Sequence, residues 1–215
     1  MAKTRQAPGI KRRIPRQARA AETVALVLEA TAQILEAGGL AGFTTNAVAE
    51  RAGVSIGTLY QYFADKNAIL LALAKQEMQA ALAEVGRALQ GDIDPAPAGR
   101  VRAMVCAIIN AFHGRQRARK AVMQAILAQG AVNELLAPVG AFIAAQAARV
   151  GHEPQPVFAP LTPVQVFVLS RSMLGAIRSA VLEEQPFLRS RGFEDEVVRL
   201  VVSYLTTIRP QIVTP

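Results

Sequence analysis

Residues 44–66, TTNAVAERAGVSIGTLYQYFADK, decide the fold. Thr44 suits a helix N-cap, since its hydroxyl can accept from a backbone N–H that the first turn leaves unpaired. The helix it opens runs to Ala52, with Val48, Ala49 and Ala52 along one face. Gly53 supplies the backbone freedom for a tight turn, and Val54 fills the angle beyond it. Ser55 caps a second helix, Ile56–Phe63, on which Ile56, Leu59 and Phe63 are expected to face inward. Gly57, Thr58, Gln61 and Tyr62 are left outward or flanking. Two short amphipathic helices joined by a glycine turn make a helix-turn-helix, whose second member lies in the major groove of DNA.

Charge of the matching sign lies just upstream. The chain has 215 residues and a formal net charge of +8, and its first 19 residues hold Lys3, Arg5, Lys11, Arg12, Arg13, Arg16 and Arg19 with no acid. Nearly all of the net charge therefore sits in that arm, the layout of a polyanion binder. Arg12, Arg13 and Arg16 are its candidate DNA contacts. Pro8, Gly9, Pro15 and the lack of an apolar period predict that residues 1–19 are disordered in the free protein. A merely solubilising tail is the alternative.

Composition sets the class. Hydrophobic residues make up 52% and aromatics 5%, with no tryptophan, and long Ala/Leu/Val stretches favour an all-α fold. No uninterrupted apolar run approaches the ~18 residues of a membrane span. The N-terminus lacks the apolar segment of a secretory signal. The one cysteine, Cys106, has no partner for an internal disulfide. These features predict a cytoplasmic protein with no membrane partner.

About nine helices are expected. The first spans 20–37, with Val24, Leu28, Thr31 and Leu35 in its stripe and Gly38-Gly39 at its end. Asp65 caps a fourth, Lys66 to about Leu89. Further helices are expected near 99–113, 115–129 and 131–150, with turn-rich connectors at 91–99 and 151–161. Thr162-Pro163-Val164-Gln165 reads as a capping box opening a helix to about Glu184. The last helix begins near Phe193, with Glu194, Asp195 and Glu196 at its positive end, and reaches about Ile208. Both terminal helices, about 162–184 and 193–208, are apolar over more than one face, which predicts burial on two sides and pairing across a two-fold axis as a homodimer. A helix central to its own subunit is the alternative.

Residues 20–73 resemble the DNA-binding domain of the tetracycline-repressor (TetR) family. The resemblance is carried by a first helix ending in Gly and by FTTNAVAERAGVSIGTLYQYFADKNAIL, with AGVS, GTLY and YF followed by Lys at the usual spacings. Beside the basic arm (1–19), which is not universal in that family, it implies a three-helix helix-turn-helix domain (20–66) and a helical effector-binding and dimerisation domain (67–215). Carried over by position, Thr45 and Lys66 resemble phosphate contacts, as do Tyr60 and Tyr62. Ser55, Gly57 and Thr58 resemble the positions nearest the backbone and base edges, and Gln61 a base reader. A helix N-terminus and hydroxyls suit phosphate, and an amide suits an adenine edge. Tyr60 packed chiefly against the first helix is the structural alternative. Ile56 stands where many relatives carry Lys or Arg, so one phosphate contact is missing.

The resemblance also implies a small-molecule effector bound in the C-terminal half, whose arrival shifts the fourth helix and with it the spacing of two reading heads on a near-palindromic operator. Candidate effector contacts are the polar or pliable residues on otherwise apolar helices: Asn110, His113, Met123, Gln124, Asn133, Ser170 and Arg171. Met104 and Met173 are gap-fillers that would also suit a pliable pocket. Arg115, Arg117, Arg119 and Lys120 read as a solvated face, with an anionic ligand as the alternative. Cys106 reads as core rather than redox sensor.

Competing chemistry is thin. Gly53-Val54-Ser55-Ile56-Gly57 fits G-x-S-x-G, but that motif needs a strand entering the turn, and AVAERA is an amphipathic helix. With two histidines and one cysteine, neither a metal site, a catalytic triad nor a cofactor is expected. The sequence thus predicts a DNA-binding transcriptional regulator, a repressor released from its operator by a small-molecule effector, and no enzyme. The alternative is a small-molecule-binding helical protein that has lost DNA binding.

Overall fold

Local signals place the helix starts. In the computed structural model, Thr44 Oγ1 accepts from Ala47 N at 3.1 Å, Ser55 Oγ from Thr58 N at 3.0 Å and Asp65 Oδ1 from Ala68 N at 2.8 Å. These caps open α2 (Thr45–Ala52), α3 (Ile56–Tyr62) and α4 (Lys66–Ala88). Before them come α1 (Arg16–Gly38) and a 3-10 turn, Gly39–Gly42. After them come α5 (Pro97–Ala111), α6 (Gln116–Ala128), α7 (Pro163–Leu182), a second 3-10 turn (Pro186–Arg189) and α8 (Arg191–Thr207). The structure describes residues 16–91, 96–111, 114–132, 134–136, 138–139, 141–142 and 161–208, and the described residues between α6 and Phe142 include further helical turns. Every regular element among them is helical, in keeping with an all-α fold.

The first helix starts earlier than expected. Arg16 and Arg19 belong to α1, and Thr23 Oγ1 donates to the Arg19 carbonyl at 2.9 Å. RQARAA is rich in strong helix formers and follows a proline, so propensity extends the helix where no apolar period marks it. Arg12 and Arg13 lie outside the described residues, as does the side chain of Arg16. At the other end, α8 starts at Arg191 because Ser190 caps it, accepting from Phe193 N at 3.1 Å. Thr162 and Gln165 form the reciprocal capping box, with bonds of 2.8 and 3.3 Å.

Two main apolar cores organise the helices, beside a small cluster of Ala180, Val181 and Leu188. The larger joins Val27, Leu28 and Leu35 of α1, Val48 of α2, Leu59 of α3 and Ile69, Leu70 and Leu73 of α4 to one face of α6. That face consists of Ala118, Ala121, Val122, Ala125 and Ile126. The smaller core packs Val101, Val105 and Ile109 of α5 against Met173 and Ile177 of α7 and Val197, Val198 and Val201 of α8. The α7 surface away from it is apolar too: Val164, Phe167 and Val168 are 71%, 59% and 42% exposed. Leu200 of α8 is likewise exposed.

By length and mean hydropathy, Gln17–Gly42 and Pro163–Leu182 would each suffice to cross a membrane, which a search for uninterrupted apolar runs passes over. Each directs one apolar face into a core, α1 into the larger and α7 into the smaller.

Gly53 closes α2 in the left-handed region, at φ 68°, and donates its N–H to the carbonyls of Ala49 and Glu50. A Cβ there would meet nothing within 4 Å, so only the backbone resists a side chain. Gly53→Ala is therefore expected to lower unfolding free energy by about 1–2 kcal/mol in urea titration. Gly57→Ala, in the right-handed helix α3, should hold or raise stability by up to about 1 kcal/mol.

Candidate nucleic-acid interface and effector cavity

The seven residues of α3 are held on one side and open on the other. Leu59 is fully buried and Phe63, at the C-cap, nearly so, which pins the helix to the larger core. Ser55, Gly57, Gln61, Tyr62 and, across the turn, Lys66 are exposed, and Thr45 and Thr58 are half-buried. Hydroxyls knit this surface together. Ser55 Oγ and Thr58 Oγ1 lie 2.8 Å apart, and Thr45 Oγ1 at the start of α2 lies 3.3 Å from Tyr60 Oη. The first turn of α3, the first turn of α2 and Lys66 at the head of α4 thus lie at successive helix N-termini, where unpaired N–H groups favour anions. Such a surface can bind a phosphate backbone while an amide reaches past it to a base edge.

Two expectations for α3 change. Tyr60 is 51% exposed and bonds α2, so it does not serve mainly as packing against the first helix. Ile56 does not face inward: it is 39% exposed. It shares the angular direction of Phe63, seven residues on, but belongs to the first turn, about 4.5 Å along the axis before Leu59 and beyond the packed part of the helix. The result is an aliphatic side chain on the outward tip.

The second candidate site is a cavity of about 730 Å³ bounded by α4, α5, α6, α7 and α8. Its walls are mostly aliphatic side chains and methionines: Met78, Met104, Met123 and Met173 all line it. Of the residues singled out from sequence, Met123, Ser170 and Arg171 are in the lining, and the Ser170 hydroxyl donates to the Phe167 carbonyl at 3.1 Å. Asn110 and Gln124 face solvent and do not line it, because they fall on the sides of α5 and α6 opposite the cores. His113 and Asn133 lie outside the described residues. Sequence reasoning missed Glu77 of α4 and Arg178 of α7, both in the lining. A charged residue inside an otherwise apolar helical stripe was the available signal for Glu77.

Arg115, Arg119 and Lys120 are ion-paired rather than free: Arg119 and Lys120 are half-buried, and Arg115, though exposed, is held by α1. The Arg115 guanidinium donates to both Glu29 carboxylate oxygens of α1, at 2.8 and 2.5 Å. Ala118 N donates to Glu36 Oε2 of α1 at 2.9 Å. Arg119 stands 3.6 Å from Glu77 Oε2 in the cavity wall, and Lys120 Nζ 2.6 Å from Glu184 Oε1. Only Arg117 of the four has the exposure foreseen and no such partner among the described residues. Burial pushes the Glu77 carboxyl up, against the pull of Arg119 and Arg115. Successive turns at the head of α6 therefore touch the helix-turn-helix domain on one side and the cavity on the other.

Cys106 lies on α5 beside the Arg102–Glu194 ion pair, and burial first, then Glu194, pushes its thiol up to about 11. A thiol so far from the thiolate is a poor redox centre.

Residues 27–73 match the family model for bacterial regulatory proteins, tetR family. The chain is 36% identical over 87 residues to the HTH-type transcriptional regulator BetI of Ectopseudomonas mendocina, covering 40% of this chain and 42% of that protein. It thus spans less than half the length of that curated relative. Among solved structures, the multidrug binding protein EbrR complexed with imidazole superposes with a TM-score of 0.64 at 18% identity, covering 93% of this chain and all of that one. The fatty acid degradation regulator FadR from Bacillus halodurans superposes at 0.59 and 17% identity, covering 94% and 100%. At these identities the superpositions establish the shared fold.

The α1–α6 ion pair has a pH signature. Bonds from Arg115 first and Gln33 second hold the Glu29 carboxyl at about 2, below its ordinary 4.5. A depressed carboxylate contributes stability that is complete above its unfolded value and lost as pH falls through the folded one. Glu29→Gln should accordingly lower stability at pH 7 and make its decline between pH 4.5 and 2 shallower than the parent's, read by urea denaturation at each pH.

Proposed function

We propose that this chain, whose residues 27–73 form a tetR-family DNA-binding domain, is a cytoplasmic homodimeric transcriptional regulator that binds a near-palindromic operator and is released by a small-molecule effector. The observation that carries this reading is α3: Leu59 is 0% exposed while Gln61, Tyr62 and Ser55 stand open. A helix so short gains little from its own backbone bonds, and its outward face is free of any packing role.

The division of labour follows. Residues 1–19 supply a basic arm, 20–66 the reading head, and 67–215 the effector and dimer functions. On DNA, Gln61 reads a base edge, and Thr45, Ser55, Tyr60, Tyr62 and Lys66 grip phosphates, with Gly57 and Thr58 allowing close approach. Arg12, Arg13 and Arg16 add phosphate or minor-groove contacts. The exposed apolar surfaces of α7 and α8 support pairing of two copies, which sets two copies of α3 about one helical turn of DNA apart or slightly more.

Effector binding in the cavity acts through two connections. One is α4, whose first residue, Lys66, follows the recognition helix within a few residues. The other is the head of α6, joined to α1 by Glu29 and Glu36 and to the cavity by Arg119. A ligand that favours one arrangement of these helices shifts the dimer away from the spacing that fits both grooves. A coupling of about 3 kcal/mol gives a ~100-fold loss of operator affinity.

Two measurements on DNA fragments selected from the source genome test the reading. Gln61→Ala is expected to relax base preference, while Lys66→Ala weakens all sequences alike and reduces the slope of log K against log salt by about 1. Unchanged preference in the Gln61 variant would remove it as reader, and failure of the parent to retain any fragment would remove the regulator reading. Deleting residues 1–15, which leaves α1 whole, should reduce affinity and salt dependence together; no change would return the arm to a solubilising tail.

A further inference from the structure

The charged residues of the cavity are few, and their signs are unequal. Its lining includes one acid, Glu77, and three arginines, Arg119, Arg171 and Arg178, of which Arg178 is exposed and Arg171 half-buried, so that these two stand at the rim. Glu77 has Arg119 as its partner at 3.6 Å. Arg171 and Arg178 have no carboxylate partner among the described residues, and Arg171 stacks on the Phe167 ring, 5.0 Å from its centroid. They are seven residues apart on α7, hence on one side of the helix and about 10.5 Å apart along it. Two long side chains can converge on a group held between them. Around them the lining is aliphatic and methionine-rich.

We propose that the cavity receives an elongated apolar molecule carrying an anionic head, with the head held by Arg171 and Arg178 and the apolar body among Met78, Met104 and Met173. The proposal rests on the effector-controlled reading above and names the chemical class of that effector. Apolar walls give the body its binding energy without directing it, whereas a guanidinium pair selects a planar carboxylate or a phosphate. A cationic head would meet two arginines that have no carboxylate partner among the described residues, and would reach Glu77 only by competing with Arg119. An anionic head gains at both ends: it neutralises Arg171 and Arg178, and it draws on the same positive field that Glu77 only partly offsets. The methionines fit a flexible chain, since unbranched thioether side chains repack around bodies of differing length.

The test uses one apolar body with four heads: laurate, lauroyl-coenzyme A, 1-dodecanol and dodecylamine, titrated into the full chain by calorimetry below their aggregation concentrations. One or both anionic compounds should bind at least about tenfold tighter than dodecanol, and dodecylamine more weakly still. The Arg171→Gln/Arg178→Gln variant should lose about tenfold for the anion and keep its affinity for dodecanol. Laurate binding places the anion at the end of the chain; binding of lauroyl-coenzyme A alone places it on the phosphates beyond the thioester. Equal affinity for all heads, preference for dodecylamine, an undiminished preference in the double variant, or no binding of any compound would overturn the proposal. Operator binding by the unliganded protein is measured separately. Loss of that binding would sink the regulator reading, whereas intact operator binding with no preference for anions would sink only the ligand class.

Discussion

Helix α6 approaches α1 through alanines, and the rest of the molecule is arranged around that close approach. Ala118, Ala121 and Ala125 are buried in the same core as Val27, Leu28 and Leu35 of α1. Small side chains let two backbones come near enough for polar groups at the edge of the contact to meet. Glu36 then accepts from Ala118 N, one of the donors that a helix start leaves unpaired, and Glu29 takes both arms of Arg115. The helix-turn-helix and the helix that walls the cavity therefore share a core and a set of polar bonds. A rearrangement of α6 is felt by α1 because close-packed contacts of this kind are bistable rather than compliant.

The outward tip obeys a different constraint. Helix α3 is too short to be stable alone, so it depends on Leu59 and Phe63 in the core and on caps at both ends. Gly53 turns the chain in the left-handed region, and Ser55 takes up the N–H of Thr58, one of those the first turn of α3 leaves free. With its inner face and its ends committed, the outer face can be chosen for chemistry. It presents hydroxyls, an amide and two phenols, together with the exposed Ile56. That isoleucine lies outside the buried core, which leaves the tip partly aliphatic between polar groups.

The cavity brings opposite requirements into one space. Its walls bind by exclusion of water, which is indifferent to orientation, and its charges supply direction. Glu77 and Arg119 largely answer each other, while the arginines of α7 add positive charge nearby. The same helix carries Val164, Phe167 and Val168 on its exposed side. One element thus serves as cavity wall, as core member through Met173 and Ile177, and as an apolar outer surface, which accounts for a sequence apolar around most of its circumference.

The helix-turn-helix, the bounds of α2, α3 and α4 and four of the N-caps (Thr44, Ser55, Asp65 and Thr162) were legible in the sequence because each depends on residues three or four positions apart. Thr44 with Ala47, Ser55 with Thr58 and Asp65 with Ala68 are all of that kind, and so are the periods that buried Leu59 and Val48. What stayed hidden depends on distance along the chain. Arg115 meets Glu29 across 86 residues, Ala118 meets Glu36 across 82, and Lys120 meets Glu184 across 64, so a run of basic residues read as solvated. Ile56 shows the same limit at short range: its angular position matches Phe63, and only the extent of the neighbouring packing leaves it open. Periodicity gives the direction of a side chain from its own helix, whereas what stands in that direction is decided when the helices assemble.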